Sequence, residues 1–180
     1  MCGINGFNFQ DEKLIRKMMT YTKNRGPDFN NFIQNEKITI GHDRLSILDL
    51  NERSNQPFCF KNLVLSFNGE IYNYKKLRVN IKDSNAYGSG DSGVLLDLLI
   101  KEEYEAIKKL RGMWAFAFLD LNKSKLIYSR DLFGIKPLFL YSDENTISIA
   151  STEKGVLDLL DNVPKVNKNK LYDSISKGYV

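Results

Sequence analysis

The 180-residue sequence contains only one histidine and two cysteines. Cys2 and Cys59 lie far apart along the chain and do not form the cysteine framework typical of small secreted proteins. With a single histidine and no paired cysteines, the chain has too few ligands of the usual kind for a zinc site. We therefore expect no metal site and a location in the reducing cytoplasm.

Long apolar runs and a strong charge of one sign are also missing. No run approaches the ~20 residues needed to span a bilayer, and the N-terminus lacks the basic region and apolar stretch of a secretory signal. The net charge of +4 comes from lysines scattered among acids, without the stripe of arginine and aromatic residues found in nucleic-acid surfaces. These absences argue against membrane and nucleic-acid partners. The length and the 42% hydrophobic content favour one globular domain.

Hydrophobic periodicity predicts strands and helices in the first half of the chain. Alternation in "CGINGFNF" indicates a strand, and "DEKLIRKMMTYTK" has helical spacing behind Asp11 as its N-cap. "KITIGH" and "NLVLSFN" are typical of strands. Two helices are expected between Tyr74 and Leu110. The stronger is "GVLLDLLIKEEY", with Asp91 as its candidate cap, and Gly112 is expected to end the last turn.

The second half is rich in short strands, namely "MWAFAFLDL", "KLIYSR", "PLFLYS" and "TISIAS". The intervening "NKS" and "DEN" have turn chemistry and imply antiparallel hairpins. Helices are predicted in "EKGVLDLL" and "KNKLYDSISK". This order of elements predicts an α+β fold in which two sheets pack face to face with helices outside.

Four short stretches carry candidate functional residues. Removal of Met1 would make Cys2 the first residue, with a thiol and a free amine on one residue. Arg44 lies in "HDRLSILD", Asn68 and Gly69 lie in "NGEIYNY", and "GSGDSG" contains Asp91. Alone, each has an ordinary interpretation: Arg44 as a surface cation, Asn-Gly as a type I′ turn, and Asp91 as a helix cap.

Six stretches occur in one order: "MCGI", "RGPD", "RLSILD", "NGEIYNY", "RGMWAFAFLD" and "RDLFGIKPLFL". Together they resemble the glutaminase domain of the asparagine synthetase B type, a class II glutamine amidotransferase among the N-terminal-nucleophile hydrolases. The resemblance implies a four-layer αββα sandwich of two antiparallel sheets. It also implies that residues 1–180 form one glutaminase domain, without the last strand segment and the synthetase domain of such proteins.

The resemblance assigns the reaction chemistry to three residues. Cys2 would be the nucleophile, with its own α-amine as the proton carrier, because the reference pKa values of the two groups are close. The side-chain amide of Asn68 and the backbone N–H of Gly69 would stabilise the oxyanion. Gly3 is expected to leave room for the substrate.

Substrate recognition is implied for a second set of residues. Arg44 matches the clamp for the α-carboxylate, since a guanidinium can engage both oxygens. Asp91 matches the partner of the ammonium group, with Glu70 nearby. Backbone atoms of Ile47 and Leu48 correspond to lining positions. His42 has no catalytic role in this scheme and is expected to be a core residue.

The resemblance implies hydrolysis of glutamine to glutamate and ammonia through a Cys2 thioester. The ammonia would pass to an asparagine-synthetase-like acceptor, either a synthetase domain or a partner chain. No cofactor is expected in this chain, and ATP and Mg²⁺ are expected only in that synthetase unit. Gly90 and Gly93 depart from the usual Ser-Asp-x-Glu block, which leaves open a catalytically idle regulatory or assembly module. An acceptor of the sugar phosphate or phosphoribosyl diphosphate type and a homodimer also stay open.

Overall fold

The computed structural model describes residues 1–79, 81, 87, 90–160 and 165–178. The strands in this part of the chain are β1 Gly3–Phe7, β2 Phe29–Asn35, β3 Ile38–Arg44, β4 Phe58–Phe60, β5 Leu63–Ile71, β6 Gly112–Asp120, β7 Lys125–Arg130, β8 Phe139–Ser142 and β9 Ile147–Ala150. The α-helices are α1 Glu12–Thr22, α2 Tyr74–Arg78, α3 Asp91–Glu102, α4 Glu153–Leu157 and α5 Lys168–Lys177, and a 3₁₀ helix follows α3 at Glu103–Lys109.

The strands form two antiparallel sheets. The first sheet has the order β2-β3-β1-β9-β8, and the second has the order β4-β5-β6-β7. In the first sheet Gly3 lies opposite Asp43, which places the start of β1 beside the end of β3. In the second sheet β5 and β6 pair over their whole length, with Gly69 opposite Trp114. The N-terminus and the "NGE" stretch are thereby fixed on different sheets.

Three apolar layers hold the fold together. Ile4, Ile40 and Ile149 of the first sheet meet Val64 and Ala117 of the second sheet in the layer between them. A second layer lies under α1 and α4 on the outer face of the first sheet. A third layer packs α3 and the 3₁₀ helix against the second sheet. Helices therefore cover both sheets, and the predicted four-layer αββα sandwich is confirmed.

Helix α1 shows how the local sequence specifies an element. The Asp11 side chain accepts a hydrogen bond from the backbone N–H of Leu14 at 2.8 Å, as expected of an N-cap. Ile15 and Met18, on one face of the helix, are completely buried. Within the described residues, no helix is both long and apolar enough to cross a membrane.

Several local predictions were wrong. β2 was not predicted, because its sequence "FNNFIQN" is polar and half exposed. The alternative interpretation of Asn68 and Gly69 as a turn does not hold, because both residues lie inside β5. Gly90 is the N-cap of α3, and Asp91 is the first helical residue. Gly112 begins β6 with φ +147° instead of ending a helix. Part of the predicted helical region, residues 80, 82–86 and 88–89, lies outside the described residues.

The prediction for His42 is confirmed. Its side chain is completely buried, and Nδ1 lies 2.9 Å from the Ser66 hydroxyl. Because His42 is on β3 and Ser66 is on β5, this hydrogen bond joins the two sheets. Burial, aided by the charge of Arg44, lowers the pKa of His42 to about 3, so the imidazole is neutral in the folded protein.

Candidate active site

The residues proposed from the sequence meet in one cavity of about 80 Å³ at the edge between the two sheets. The cavity lies where β1 begins and β3 ends in the first sheet, opposite the last residues of β5 in the second sheet. All eight candidate residues line it: Cys2, Arg44, Ile47, Leu48, Asn68, Gly69, Glu70 and Asp91.

Hydrogen bonds hold both the main chain and the sulfur of Cys2. Its backbone nitrogen donates a hydrogen bond to Asn68 Oδ1 at 3.1 Å, and its carbonyl oxygen accepts one from Arg25 Nε at 3.0 Å. The sulfur accepts a hydrogen bond from the backbone N–H of Leu45 at 3.4 Å. Burial raises the pKa of the thiol, while the Leu45 N–H and nearby positive charges oppose this effect. The sulfur is therefore fixed inside the cavity beside cations.

Asn68 is 1% exposed, and its amide has one bonded and one open end. Oδ1 accepts the hydrogen bond from Cys2, so Nδ2 has the donor role, and it has no partner among the described residues. The Gln56 side chain bonds both the N–H and the carbonyl of Phe67, which fixes β5 immediately before Asn68. An unpaired buried donor is costly, and this one lies in a cavity beside a thiol.

Packing explains why glycine stands at two positions near the site. A Cβ on Gly69 would collide with the Met113 carbonyl oxygen on β6. A Cβ on Gly3 would collide with the Thr22 side chain of α1. The expectation that Gly3 leaves room for a substrate is therefore wrong, because α1 fills that space.

Arg44 is 6% exposed and organises the segment after β3. Nη1 donates hydrogen bonds to Asn51 O at 3.2 Å and to Asn55 Oδ1 at 2.6 Å, and Nη2 donates to Asp49 O. A guanidinium has five N–H donors, so these three bonds do not use all of them. Ile47 and Leu48, held in the same segment, are about half exposed at the cavity rim.

The acidic side of the cavity is formed by Asp91 and Glu70. Asp91 is 5% exposed, and its two oxygens accept hydrogen bonds at 2.8 Å from the backbone N–H groups of Ile71 and Ser92. Burial raises the pKa of Asp91 to about 6, with the Glu70 charge adding to the rise and the backbone hydrogen bonds opposing it. The carboxylate is ionised at neutral pH. The cavity thus has a cationic group and an anionic group on different elements.

Ser54, Gln56 and Lys136 are among the lining residues that sequence reasoning missed. Gln56 and Ser54 line the cavity, and the buried Ser54 hydroxyl has no partner among the described residues. Lys136 lines it as well, although it is only 7% exposed. It lies in "RDLFGIKPLFL", one of the six stretches that carry the resemblance. A lysine directly after a Gly-containing turn in a stretch that resembles the family was the available signal.

Other parts of the molecule offer less chemistry. A larger cleft of about 430 Å³ lies at the opposite end of the sandwich, where Ile38, Leu126 and Ile147 line it. Its lining contains no cysteine or histidine. Within the described residues, no group of three or more histidine, cysteine, aspartate or glutamate side chains could hold a metal ion. The arrangement at Cys2 instead suits attack by sulfur on a carbonyl, with an amide donor for the oxyanion.

Comparison with known proteins agrees with this chemistry. A family model described as a glutamine amidotransferase domain matches residues 1–180, and the chain belongs to this family. In the B. subtilis glutamine phosphoribosylpyrophosphate amidotransferase, the same fold is found with a TM-score of 0.71 at 18% identity, over 86% of this chain and 42% of that one.

Among the members of the family, the chain is similar to asparagine synthetases. It is 37% identical to the putative glutamine-hydrolyzing asparagine synthetase 2 of Methanocaldococcus jannaschii, over 94% of this chain and 38% of that protein. Asparagine synthetase 1 of Bacillus subtilis is 34% identical over 100% of this chain and 30% of its own length. Asparagine synthetase B of Escherichia coli is 34% identical over 87% of this chain and 30% of its own. The chain therefore spans about a third of the length of these relatives.

Proposed function

We propose that this chain hydrolyses glutamine to glutamate and ammonia through a γ-glutamyl thioester on Cys2. One observation carries the proposal. The Cys2 nitrogen donates a hydrogen bond to Asn68 Oδ1, which leaves Asn68 Nδ2 as an unpaired buried donor at the cavity that Cys2 also lines. Removal of Met1 would turn this nitrogen into the α-amine. Nucleophile, base and oxyanion donor would then lie within one contact network.

The first half of the reaction forms the thioester. The thiol proton passes to the α-amine through a bridging water, and the sulfur attacks the carboxamide carbon. A C–S bond forms, and the electron pair on oxygen is stabilised by Asn68 Nδ2 and the Gly69 N–H. Collapse breaks the C–N bond, and ammonia leaves with the proton from the α-ammonium group.

The second half releases glutamate. A water molecule attacks the thioester carbon and gives a proton to the α-amine of Cys2. The same donors stabilise the second oxyanion, and collapse breaks the C–S bond. The sulfur recovers its proton, so the enzyme returns to its starting state. Both halves use the same pair of donors, so one oxyanion site serves both.

Selectivity for an α-amino acid would come from the two charged sides of the cavity. The remaining N–H donors of Arg44 would bind the α-carboxylate. Asp91, with Glu70 beside it, would hold the α-ammonium group. A simple amide without these two charges would lose both contacts. Ile47 and Leu48 would supply backbone and rim contacts.

The fate of the ammonia is inferred from the relatives. Several are named glutamine-hydrolyzing asparagine synthetases, and the chain matches about a third of their length. We infer an acceptor of this type, on a further domain or a partner chain, which would require ATP and Mg²⁺ for its own reaction. A cytoplasmic location, where such acceptors and free thiols occur together, fits this function.

The central test is covalent labelling. N-terminally processed protein is treated with a chloroketone analogue of glutamine, and the adduct is located by intact-mass and peptide analysis. We expect one adduct at Cys2, loss of labelling in Cys2→Ala, and protection by glutamine. Cys59→Ala is the matched control, because this thiol lies on the edge strand β4 and outside the cavity. Labelling that persists in Cys2→Ala would contradict the proposal.

A second candidate is an idle regulatory or assembly module. Gly90 favours it, since this N-cap provides no side chain to α3 or to the cavity that it lines. Intact mass separates the two candidates. A retained Met1 together with no ammonia release from glutamine would support the idle module, whereas removal of Met1 with ammonia release would exclude it.

A further inference from the structure

The charges that line the cavity exceed what an α-amino acid needs. Glutamine carries one carboxylate and one ammonium group, and Arg44 and Asp91 match them. Asp49 also lines the cavity, but its carboxylate bonds the Asn51 N–H and lies 3.7 Å from Arg53. Lys136 is left as a second cation without a ligand group to bind.

Lys136 is unusual in its burial. It is 7% exposed, yet it forms no ion pair with any described residue. Lysine is rarely buried without a partner, because removing an ammonium group from water is costly. We therefore expect that a negative charge formed during the reaction compensates the charge of Lys136.

The position of Lys136 is fixed by a backbone network. The carboxylate of Asp131 accepts hydrogen bonds from four N–H groups, those of Trp114 at 3.3 Å, Phe133 at 3.2 Å, Ile135 at 3.0 Å and Lys136 at 3.0 Å. Trp114 lies on β6 directly opposite Gly69. The turn that carries Lys136 is thus tied to the strand pair that presents Asn68 and Gly69.

Several charged groups act on the Cys2 sulfur. The N-terminal amine, Arg44 and Lys136 favour the thiolate, against the burial that raises the thiol pKa. This amine belongs to Met1: burial lowers its pKa, Arg25 and Lys136 lower it further, and Cys2 and Asp28 raise it. Asp49, Glu70 and Asp91 are the acids among the described residues that line the same cavity. Lys136 therefore favours an anionic Cys2 sulfur.

We propose that Lys136 is a positioning residue for Cys2. The fixed positive charge of Lys136 stabilises the Cys2 sulfur anion and the oxyanions that form after the sulfur attacks. The inference rests on the proposed glutaminase function and extends it to a residue outside the substrate contacts. The anion that compensates Lys136 is then the thiolate and, after its attack, the tetrahedral oxyanion. Lys136 gives and takes no proton in this scheme.

The test measures the acidity of Cys2 without glutamine. Processed protein that carries Cys59→Ala is alkylated with iodoacetamide, a small neutral reagent, between pH 5.5 and 9.5, and the rate is followed by intact mass. Lys136→Met is expected to raise the midpoint by about 0.5 to 1 pH unit and to slow alkylation at pH 7 about threefold to tenfold. Lys136→Arg should keep the parental midpoint.

The matched control is Lys37→Met, which removes the same charge from the exposed β2–β3 turn at the opposite end of the molecule. It should leave the midpoint unchanged. Lys136→Gln is a second neutral variant for the case that methionine disturbs folding, which circular dichroism would detect. A neutral variant that is folded and has the parental midpoint would overturn the proposal.

Glutamine kinetics separate this role from substrate binding. If Lys136 acts on the sulfur, kcat falls most on the acidic side and KM stays within about twofold. A raised KM with an unchanged alkylation midpoint would instead mark Lys136 as a carboxylate ligand and refute the inference. Alkylation needs no turnover, so a shifted midpoint in a protein that releases no ammonia would refute the glutaminase function and keep the role of Lys136.

Discussion

Asn68 uses the two ends of its side-chain amide for different tasks. Oδ1 receives the hydrogen bond from Cys2, and Nδ2 stays unpaired in the cavity. Aspartate at this position could accept but could not donate, and alanine could do neither. At the scale of the residue, the oxyanion site is therefore built by a hydrogen bond made elsewhere on the same side chain.

Replacing Asn68 by alanine tests this division. We expect kcat for glutamine hydrolysis to fall about 10²–10³-fold, because one oxyanion donor is lost, with a much smaller change in KM. Steady-state ammonia release measures both constants. Asn31→Ala, on the exposed side of β2, is the control and should match the parent. An unchanged kcat with a raised KM would contradict the role.

The raised pKa of Asp91 predicts that the affinity for glutamine depends on pH. Because burial raises its pKa to about 6, the carboxylate becomes protonated as the pH falls through 6 and can no longer attract an ammonium group. Cys2→Ala protein binds without turnover, so calorimetry reports affinity alone. We expect the Kd for glutamine to rise up to about tenfold per pH unit below 6. Adding Asp91→Asn should weaken binding at neutral pH and remove this dependence. Equal pH dependence in both proteins would exclude Asp91.

The elements differ in how far the sequence predicts them, and the reason is physical. α1 was predicted because its cap and its apolar spacing are both local. β2 was missed because its stability comes from pairing with β3 along all seven residues and not from an apolar pattern. Gly112 was misassigned because a glycine with positive φ can end a helix or begin a strand. Only the chain opposite it, at Glu70, decides which.

Gly112 gives a prediction at the scale of the strand pair. A Cβ there would collide with the Glu70 carbonyl oxygen, and φ +147° is unfavourable for other residues. Gly112→Ala is expected to lower the free energy of unfolding by about 2–3 kcal/mol. Gly178→Ala is the control, since its φ is +74° and no heavy atom lies within 4 Å of the added Cβ. Urea unfolding would show equal losses in both variants if the collision at Glu70 did not matter.

At the scale of the whole molecule, the site exists because two sheets meet. Cys2 and Asn68 are separated by 66 positions in the chain. Cys2 directly precedes β1 of the first sheet, whereas Asn68 lies on β5 of the second. The resemblance predicted eight of the residues that line the cavity: seven lie in three of the six ordered stretches, each of which has its own local signature, and Asp91 lies in "GSGDSG". Gln56 and Ser54 could not be predicted from local patterns, since only packing of the sheets brings them to the cavity. Lys136 lies in one of the six stretches, but only the turn after β7 brings it there.

The hydrogen bond between His42 and Ser66 joins the two sheets in the layer behind the site. His42 is neutral when folded, with a pKa of about 3, but the unfolded chain binds a proton near its reference value of about 6.5. As the pH falls below 6.5, the unfolded state therefore gains protons that the folded state does not, and stability decreases. Asp43 and Asp91, with pKa values raised to about 6 by burial, act in the opposite direction as the pH falls.

His42→Asn isolates the histidine contribution, because the two aspartates are present in both proteins. Between pH 7 and pH 5, we expect the parent to lose about 2 kcal/mol more unfolding free energy than the variant. Urea unfolding at each pH gives the difference by linear extrapolation. Ser66→Ala is the matched control: it removes the hydrogen bond but keeps the buried imidazole, so it should retain the pH dependence of the parent. Parallel pH profiles for the parent and His42→Asn would mean that His42 is protonated in the folded sandwich, against its burial between the sheets.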